Sequence, residues 1–492
     1  MKKILTILVL ASLGICTSCN KEVLDKRPLS SISDADVFKD PSLINAYLTR
    51  IYVEMTWLGG DSGNDGDWNF ANINDVSDEA FPQFRDWNPS GVFRYKYGGL
   101  NVGGGLFDWW GYGTVRTINQ FIEKLPTSPL PADQIKSKLA EARFLRAFCY
   151  FAMVKRYGGV PLIKVTQNAS DPESTLYPER ATEQAVYDYV ISELDGCLTD
   201  LPETGDISRP TKYAALALKS RAALYAGSIA QFGTVALGGV VGIPASASSA
   251  YYQKSFDASQ AIIKSGKFAL YNVDANKATN FRNVFLVKGS SNLEPIFIKR
   301  HDNLNLYSGG NGWAIDFFNA PRPQAWGRGL YDQSYLEFVE SFENVDGTSG
   351  KLDRTAVQQG LFTTDELWGK KDPRFFATFF TQNTPWKGTK LDFHAGIKLA
   401  NGTIQTSGAV NGISATGDQD FEGTGFGILK YLDESHDNMA GANSGWPTSS
   451  TDWQIFRYGE ILLNNAEAAF ELSNLPEALS SINQIRSRSG IA

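Results

Sequence analysis

The sequence predicts a mainly all-α protein, built of helical hairpins with a large irregular, loop-rich part and a few short strands laid against them. Three observations carry this. Apolar residues recur at helical spacing in three regions, about 109–157, 183–264 and 453–489. Alanines recur where those helices would cross, with Tyr and Phe to fill the grooves. The stretches about 59–105 and 270–450 are rich in Gly, Asn, Asp and Ser and hold no sustained period, as long loops do.

The chain opens with Lys2 and Lys3, an apolar run from Ile4 to Ile15, and then Cys16-Thr17-Ser18-Cys19. The run is too short to span a bilayer and has the layout of a signal peptide's central region. Residues 1–18 therefore read as a lipoprotein signal peptide, with Cys19 the lipidated first residue of the mature chain. Each buried methylene of an acyl chain adds about 0.8 kcal/mol, so two or three chains anchor firmly. Cys16 stands where such sites usually carry Leu, Val or Ile, and a plain secretory cut nearby is the alternative. Residues 19–39 form a polar tether, and 40–492 one domain.

Asp40-Pro41 starts a helix, with Asp as cap, Pro at the first position, and Leu43, Ala46, Tyr47 and Ile51 on one stripe. The next helix runs from Trp109 to Leu125, and another, apolar almost all round, from Gln134 to Tyr157. Gly158-Gly159-Val160-Pro161 stops it. Helices follow at Glu183–Leu201, from Pro210-Thr211 onward, and at Tyr251–Lys264. In the second of these Ala215, Leu218, Ala222, Tyr225 and Ile229 share a face. Residues 234–250 read as a flexible loop. Pro295 to Ile298 looks like an isolated strand and Gln333–Phe342 like a helix. Near the end, Phe456, Gly459, Leu463, Ala466 and Phe470 share one face, and a second helix presents Ala478, Ile482 and Ile485 before Gly490. Close helix crossings on small residues are what a tetratricopeptide-type stack requires, and a plain helical bundle is the other solution.

Composition bounds the function. The 492 residues are 42% hydrophobic and 20% charged, ordinary for a globular protein. A net charge of -7 argues against nucleic acid, whose binding is dominated by phosphate neutralisation. Of four cysteines, Cys149 and Cys197 remain for the body, as buried thiols or one disulfide. His301, His394 and His436 show no metal or triad spacing, and the Gly98–Gly105 run lacks the Lys-Ser/Thr of a phosphate loop.

Several stretches, in order, resemble the SusD/RagB family of outer-membrane nutrient-uptake lipoproteins from Bacteroidota. They are Cys19 with Leu24–Pro28 and Asp36-Val37-Phe38; Asp75–Ala80; Ile118–Leu125; Ala140–Ala147 continuing to Tyr157–Leu162; Tyr213–Tyr225; and Phe456–Leu463 with Ala466-Glu467-Ala468 and Ile482–Arg486. The resemblance implies tetratricopeptide-like hairpins and a cell-surface, outer-membrane lipoprotein. Such a protein acts as a hinged lid over a SusC-like TonB-dependent transporter, capturing a ligand, usually an oligo- or polysaccharide, and passing it down. It implies no catalysis and no cofactor, with a structural calcium left open. Family sequences usually run on past the point where this one stops at Ala492, so it is a short member or a truncated record.

Sugar capture needs flat aromatic faces for the apolar side of pyranose rings, ringed by Asn, Asp, Arg and Gln for the hydroxyls. Trp87 beside Arg85, Trp313 with Asn311, and Trp326 between Gln324 and Arg328 have that character, with a core or loop-anchoring tryptophan as the alternative for each. The last two fall roughly where the family's platform residues sit. Asp78 is a further candidate, for ligand or calcium, against a solvated acidic turn. Trp109 and Trp110 read as core, and Trp57 and Trp68 fit either role. The rival classes are a lipid-anchored glycoside hydrolase, which needs two placed carboxylates among the 53 acids, and a tetratricopeptide-type protein-interaction scaffold.

Overall fold

Three of the long helices begin at a side-chain cap. The computed structural model describes residues 34–55, 77–82, 109–304, 312–321, 325, 329, 332–392, 397–405, 424–440 and 445–491. A short helix α1 (Asp34–Val37) precedes α2 (Pro41–Glu54). Asp40 Oδ1 accepts the Ser42 N–H at 2.7 Å and the Leu43 N–H at 3.4 Å, and Pro41 takes the first position, where no N–H is needed. After β1 (Ala80–Pro82) come α3 (Tyr112–Lys124), α4 (Ala132–Tyr157), the single turn α5 (Glu173–Leu176) and α6 (Glu183–Asp195). Then follow α7 (Lys212–Phe232) and α8 (Ser248–Lys264). Thr182 and Thr211 cap α6 and α7, accepting from Ala185 at 3.1 Å and Ala214 at 3.2 Å.

The irregular part comes next. It holds α9 (Lys277–Asn283), β2 (Pro295–Lys299), α10 (Ile315–Asn319), β3 (Asp332–Ser334), α11 (Leu336–Ser341), α12 (Arg354–Gln359), α13 (Thr364–Trp368) and α14 (Pro373–Thr378). Six two-residue strands follow: β4 (Phe379–Phe380), β5 (Pro385–Trp386), β6 (Thr389–Lys390), β7 (Ile397–Lys398), β8 (Ile404–Gln405) and β9 (Gly427–Ile428). The chain then returns through β10 (Trp453–Arg457) to α15 (Tyr458–Glu471) and α16 (Leu475–Arg488).

The long helices stack in chain order. α2 packs on α3, α3 on α4, α4 on α6, α6 on α7 and α7 on α8. The next member is α15, which packs directly on α8 and then on α16, so the loop-rich part is looped out between neighbours in the stack. One apolar core runs the length of it, from Phe38 to Ile485.

Small residues let the α7, α8 and α15 backbones approach. Ser220 is fully buried; its Oγ lies 2.8 Å from that of Ser259 and accepts from Asn464 Nδ2 at 3.1 Å, while Ser255 Oγ donates to its carbonyl at 2.9 Å. A Cβ on Gly227 would sit 2.9 Å from the Tyr252 ring. Arg221 then locks α7 to α15: Nε and Nη2 donate to the two Glu460 carboxylate oxygens at 2.5 Å each, and Nη2 also donates to the Ile455 carbonyl at 2.7 Å.

Several sequence expectations shift. α6 ends at Asp195 instead of Leu201, because Arg143 takes the Gly196 carbonyl at 2.9 Å and a Cβ at Gly196 would meet its guanidinium. Gln333 lies in β3, and only Leu336–Ser341 is helical. Residues 234–250 form a closed turn: Ala236 bridges Val241, the Gly159 N–H reaches the Val240 carbonyl at 2.6 Å, and the Gly242 N–H reaches Glu183 Oε2 at 2.5 Å. Trp110 is 52% exposed, not core, and lies against Tyr112 and Tyr157. Tyr225, Leu463, Phe470 and Ile482 are likewise exposed, because the small side chains on the other faces of their helices make the crossings. Cys149 and Cys197 are separate buried thiols, and burial pushes both above the ordinary thiol range.

If the three-way crossing depends on small residues, Ser220→Leu should lower unfolding stability by about 1–3 kcal/mol, the usual cost of overpacking. Urea denaturation followed by circular dichroism measures it.

Candidate functional site

A buried carboxylate fastens the loop-rich part to the scaffold. Glu294, fully buried just before β2, accepts from Arg457 Nη1 at 2.7 Å on one oxygen. Its other oxygen accepts from Arg488 Nη1 at 2.9 Å and the Tyr271 N–H at 2.8 Å, and its carbonyl takes the Tyr458 N–H at 2.8 Å. These partners come from the end of β10, the end of α16, the chain leaving α8 and the start of α15. A Cβ on Gly459 would fall 2.2 Å from Arg457 Nη1, which explains why the second position of α15 holds the smallest residue. Lys430 lies 4.3 Å from the Phe285 ring centre; burial, with the like charge of Arg457, pulls it down to about 7.

Beside this junction β2 and β10 pair antiparallel, with Trp453 opposite Lys299 and Arg457 opposite Pro295. Trp453 reaches into an aromatic cluster with Tyr431 and Trp313. Trp313, a candidate platform residue, is only 5% exposed. One face stacks on His301 at 4.9 Å and 10°, Tyr431 meets it edge-on at 5.7 Å, and its Nε1 donates to Thr451 Oγ1 at 3.2 Å. In this conformation it anchors its loop and offers no open ring to a sugar. His301 is buried with it, and His436 Nε2 sits 3.0 Å from Thr448 Oγ1.

A second sheet, in the order β1-β3-β9-β4, organises the loops. β1 and β3 pair antiparallel with Ala80 opposite Ser334 and Pro82 opposite Asp332. Asp78 is exposed just before β1, where the Glu79 carbonyl accepts the Tyr335 N–H at 3.1 Å and Ser334 Oγ at 3.0 Å. Cys19, Arg85, Trp87, Asn311 and Trp326 lie outside the described residues, as do Trp57, Trp68 and His394. Among the described residues no three His, Cys, Asp or Glu side chains gather as metal ligands, and no helix is long and apolar enough to cross a membrane.

Sequence reasoning missed Asp316, in the first turn of α10. Its Oδ1 accepts the Asp433 N–H at 3.0 Å, and burial pushes it up to about 7. Nothing in its local pattern marks it; its burial comes from Ser449 and Asp433, both more than a hundred residues away in sequence.

Two family models match the chain. One, described as SusD family, covers residues 294–492; the other, described as starch-binding associating with outer membrane, covers 105–224. The chain belongs to the SusD/RagB family. It is 28% identical over 241 residues to SusD-like protein P38 of Formosa agariphila, covering 45% of this chain and 42% of that one. It is 27% identical over 218 residues to a SusD-like protein of Bacteroides ovatus, covering 42% and 37%. The match thus spans about two-fifths of each curated relative. Among solved structures, a SusD-like protein from Bacteroides fragilis superposes with a TM-score of 0.71 at 24% identity, covering 95% of this chain and 82% of that one. A laminarin-binding SusD-like protein superposes at 0.60 and 18% identity, covering 92% and 85%. These likenesses establish the SusD-like helical fold.

Two outcomes follow from the buried acids. Glu294→Gln leaves Arg457 and Arg488 with an uncompensated charge, so stability should fall by about 3–5 kcal/mol in urea unfolding. Asp316 holds its proton in the folded chain up to about pH 7 but only to about pH 4 when unfolded, so the folded state binds more protons between those values. Its contribution is therefore fully present at low pH and is lost as pH rises through 7. Asp316→Asn should gain thermal stability relative to wild type progressively from pH 4 to pH 7 and hold that gain at pH 8.

Proposed function

We propose that this SusD-like protein is a non-catalytic glycan-binding lipoprotein of the outer membrane. Anchored through Cys19, it captures an oligo- or polysaccharide at the cell surface and passes it to a SusC-like TonB-dependent transporter. Family membership supports carbohydrate binding and outer-membrane association as the frame.

The observation that carries the site is the β1–β3 register. Pro82 and Asp332 face each other one strand spacing apart, about 4.8 Å. Trp87 follows Pro82 by five positions, and Trp326 precedes Asp332 by six. At about 3.3 Å per residue, the chain can carry neither position more than about 20 Å from the same end of one ladder. We assign Trp87 and Trp326, with Arg85 and Asn311, to one ligand face. Asp78 precedes β1 by two residues, four positions and so at most about 13 Å from Pro82, and serves at its edge. Trp313 serves as the anchor that holds its own loop.

Isothermal titration against laminarin, soluble starch and xylan tests this. A Trp87→Ala/Trp326→Ala double variant should keep its melting temperature and lose about tenfold or more in affinity, as exposed aromatic hot spots do. Undiminished affinity refutes the site, and release of reducing sugar by the wild type refutes the non-catalytic reading.

A further inference from the structure

On the other edge of the β1-β3-β9-β4 sheet, α13, α14, β4 and the β5–β6 hairpin enclose a cleft of about 330 Å³ that no sequence feature announced. Small-molecule pockets run from about 300 to 1,000 Å³, so this one is of a size for a small ligand.

Its floor is aromatic and rigid. Trp368 and Phe375 stack at 5.7 Å and 30°, and Phe379 packs on Phe375 at 5.7 Å, all three buried in one apolar cluster with Val339 and Phe426. Phe376 departs from them. It stands edge-on to Phe375 at 5.0 Å, lines the cleft and is 41% exposed. An exposed phenyl ring over a buried aromatic floor offers an apolar face at the mouth of a polar-rimmed cavity.

The wall opposite is fixed by its backbone. Asn383 adopts a left-handed φ of 65°, held by its N–H to the Leu391 carbonyl at 2.9 Å, and the Leu391 N–H returns to the Thr384 carbonyl at 2.9 Å. Lys387 and Gly388, at φ 48° and 75°, make the tight hairpin turn behind it, of the kind that needs two left-handed residues. Asn383 Nδ2 also reaches across to Thr364 Oγ1 at 3.3 Å, tying the hairpin wall to α13. A wall held this way needs little ordering when a ligand binds.

The remaining polar groups define the ligand. Asp365 and Lys390 both line the cleft, and among the described residues neither side chain has a partner. One acid and one base sum to no net charge, which disfavours uronates, sulfated sugars and phosphates. Hydroxyls can donate a hydrogen bond to the Asp365 carboxylate and accept one from the Lys390 ammonium, while a ring's C–H face rests on Phe376.

We propose that this cleft is a second binding site, taking one or two units of a neutral glycan. The proposal rests on the glycan-binding reading above and deepens it. Phe81, Gln333, Gly427 and Phe380 pair successively across the sheet, so the cleft lies three strand spacings, about 14 Å, from the ladder end that carries the segments of Trp87 and Trp326. Two sites on one rigid sheet would let a long chain bind by avidity.

Hydrogen–deuterium exchange of the full chain, with and without laminarin, soluble starch, xylan or the anionic polygalacturonate, locates the contact. The expected result is slower exchange across 363–369 and 381–391 with a neutral polymer. Phe376→Ala, a surface change expected to leave the melting temperature unaltered, should lose about tenfold in affinity, the upper range for one aromatic contact. If a neutral polymer binds but protection omits those segments and Phe376→Ala binds as wild type, the cleft is refuted and the broader reading stands. If polygalacturonate alone protects them, the neutral-ligand assignment is refuted. If none of the four polymers binds, both fall together.

Discussion

Everything beyond the helical stack hangs on where the Glu294 carboxylate is placed. It meets groups from α8's exit, β10, α15's first turn and the last turn of α16, so a single buried anion fixes four chain segments to one point. Buried charge is costly unless each lone pair is used, and here both oxygens and the carbonyl are taken. The arginines outnumber the acid, and Lys430 close by is held near neutrality by burial, which limits the excess positive charge. Position, more than net stability, is what such a network supplies. Directly from it run the β2–β10 pair and the Trp453–Tyr431–Trp313 cluster that seat the loops.

The scaffold solves a different problem. Eight long helices from α2 to α16 must pack closely enough to leave few voids, and the serines and glycine at the α7–α8–α15 crossing allow this. Because these contacts use small residues, larger ones such as Tyr225, Leu463 and Phe470 are turned outward. Apolar spacing therefore located these helices correctly and assigned part of their buried faces wrongly.

Much of the fold was legible because helices announce themselves locally. Asp40-Pro41, Thr182, Thr211 and Gly158 mark boundaries through nearest-neighbour chemistry, and the repeat of hairpins follows from the spacing of alanines. The irregular part was legible only as irregular. Its order comes from pairs such as Phe81 with Gln333 and Trp313 with Ser449, whose partners lie more than a hundred residues apart. The same holds for the sites. Aromatic residues in loops could be named, but Trp313's burial depends on Tyr431, Trp453 and His301, which no local pattern connects. Phe376 was overlooked because Pro373–Thr378 resembles any short apolar turn until α13 and the hairpin stand beside it.

The direct contact between α8 and α15 has a consequence for how this architecture can change. Nearly two hundred residues leave and re-enter the stack at adjacent helices, so their ends are already closed by the scaffold itself. Lengthening such an excursion adds only logarithmically to the entropy of closing it, about 0.6 kcal/mol for each doubling. The loop-rich half can therefore be rewritten, loop by loop, while the helices keep their packing. Diversity of loops and constancy of frame then need no separate explanation.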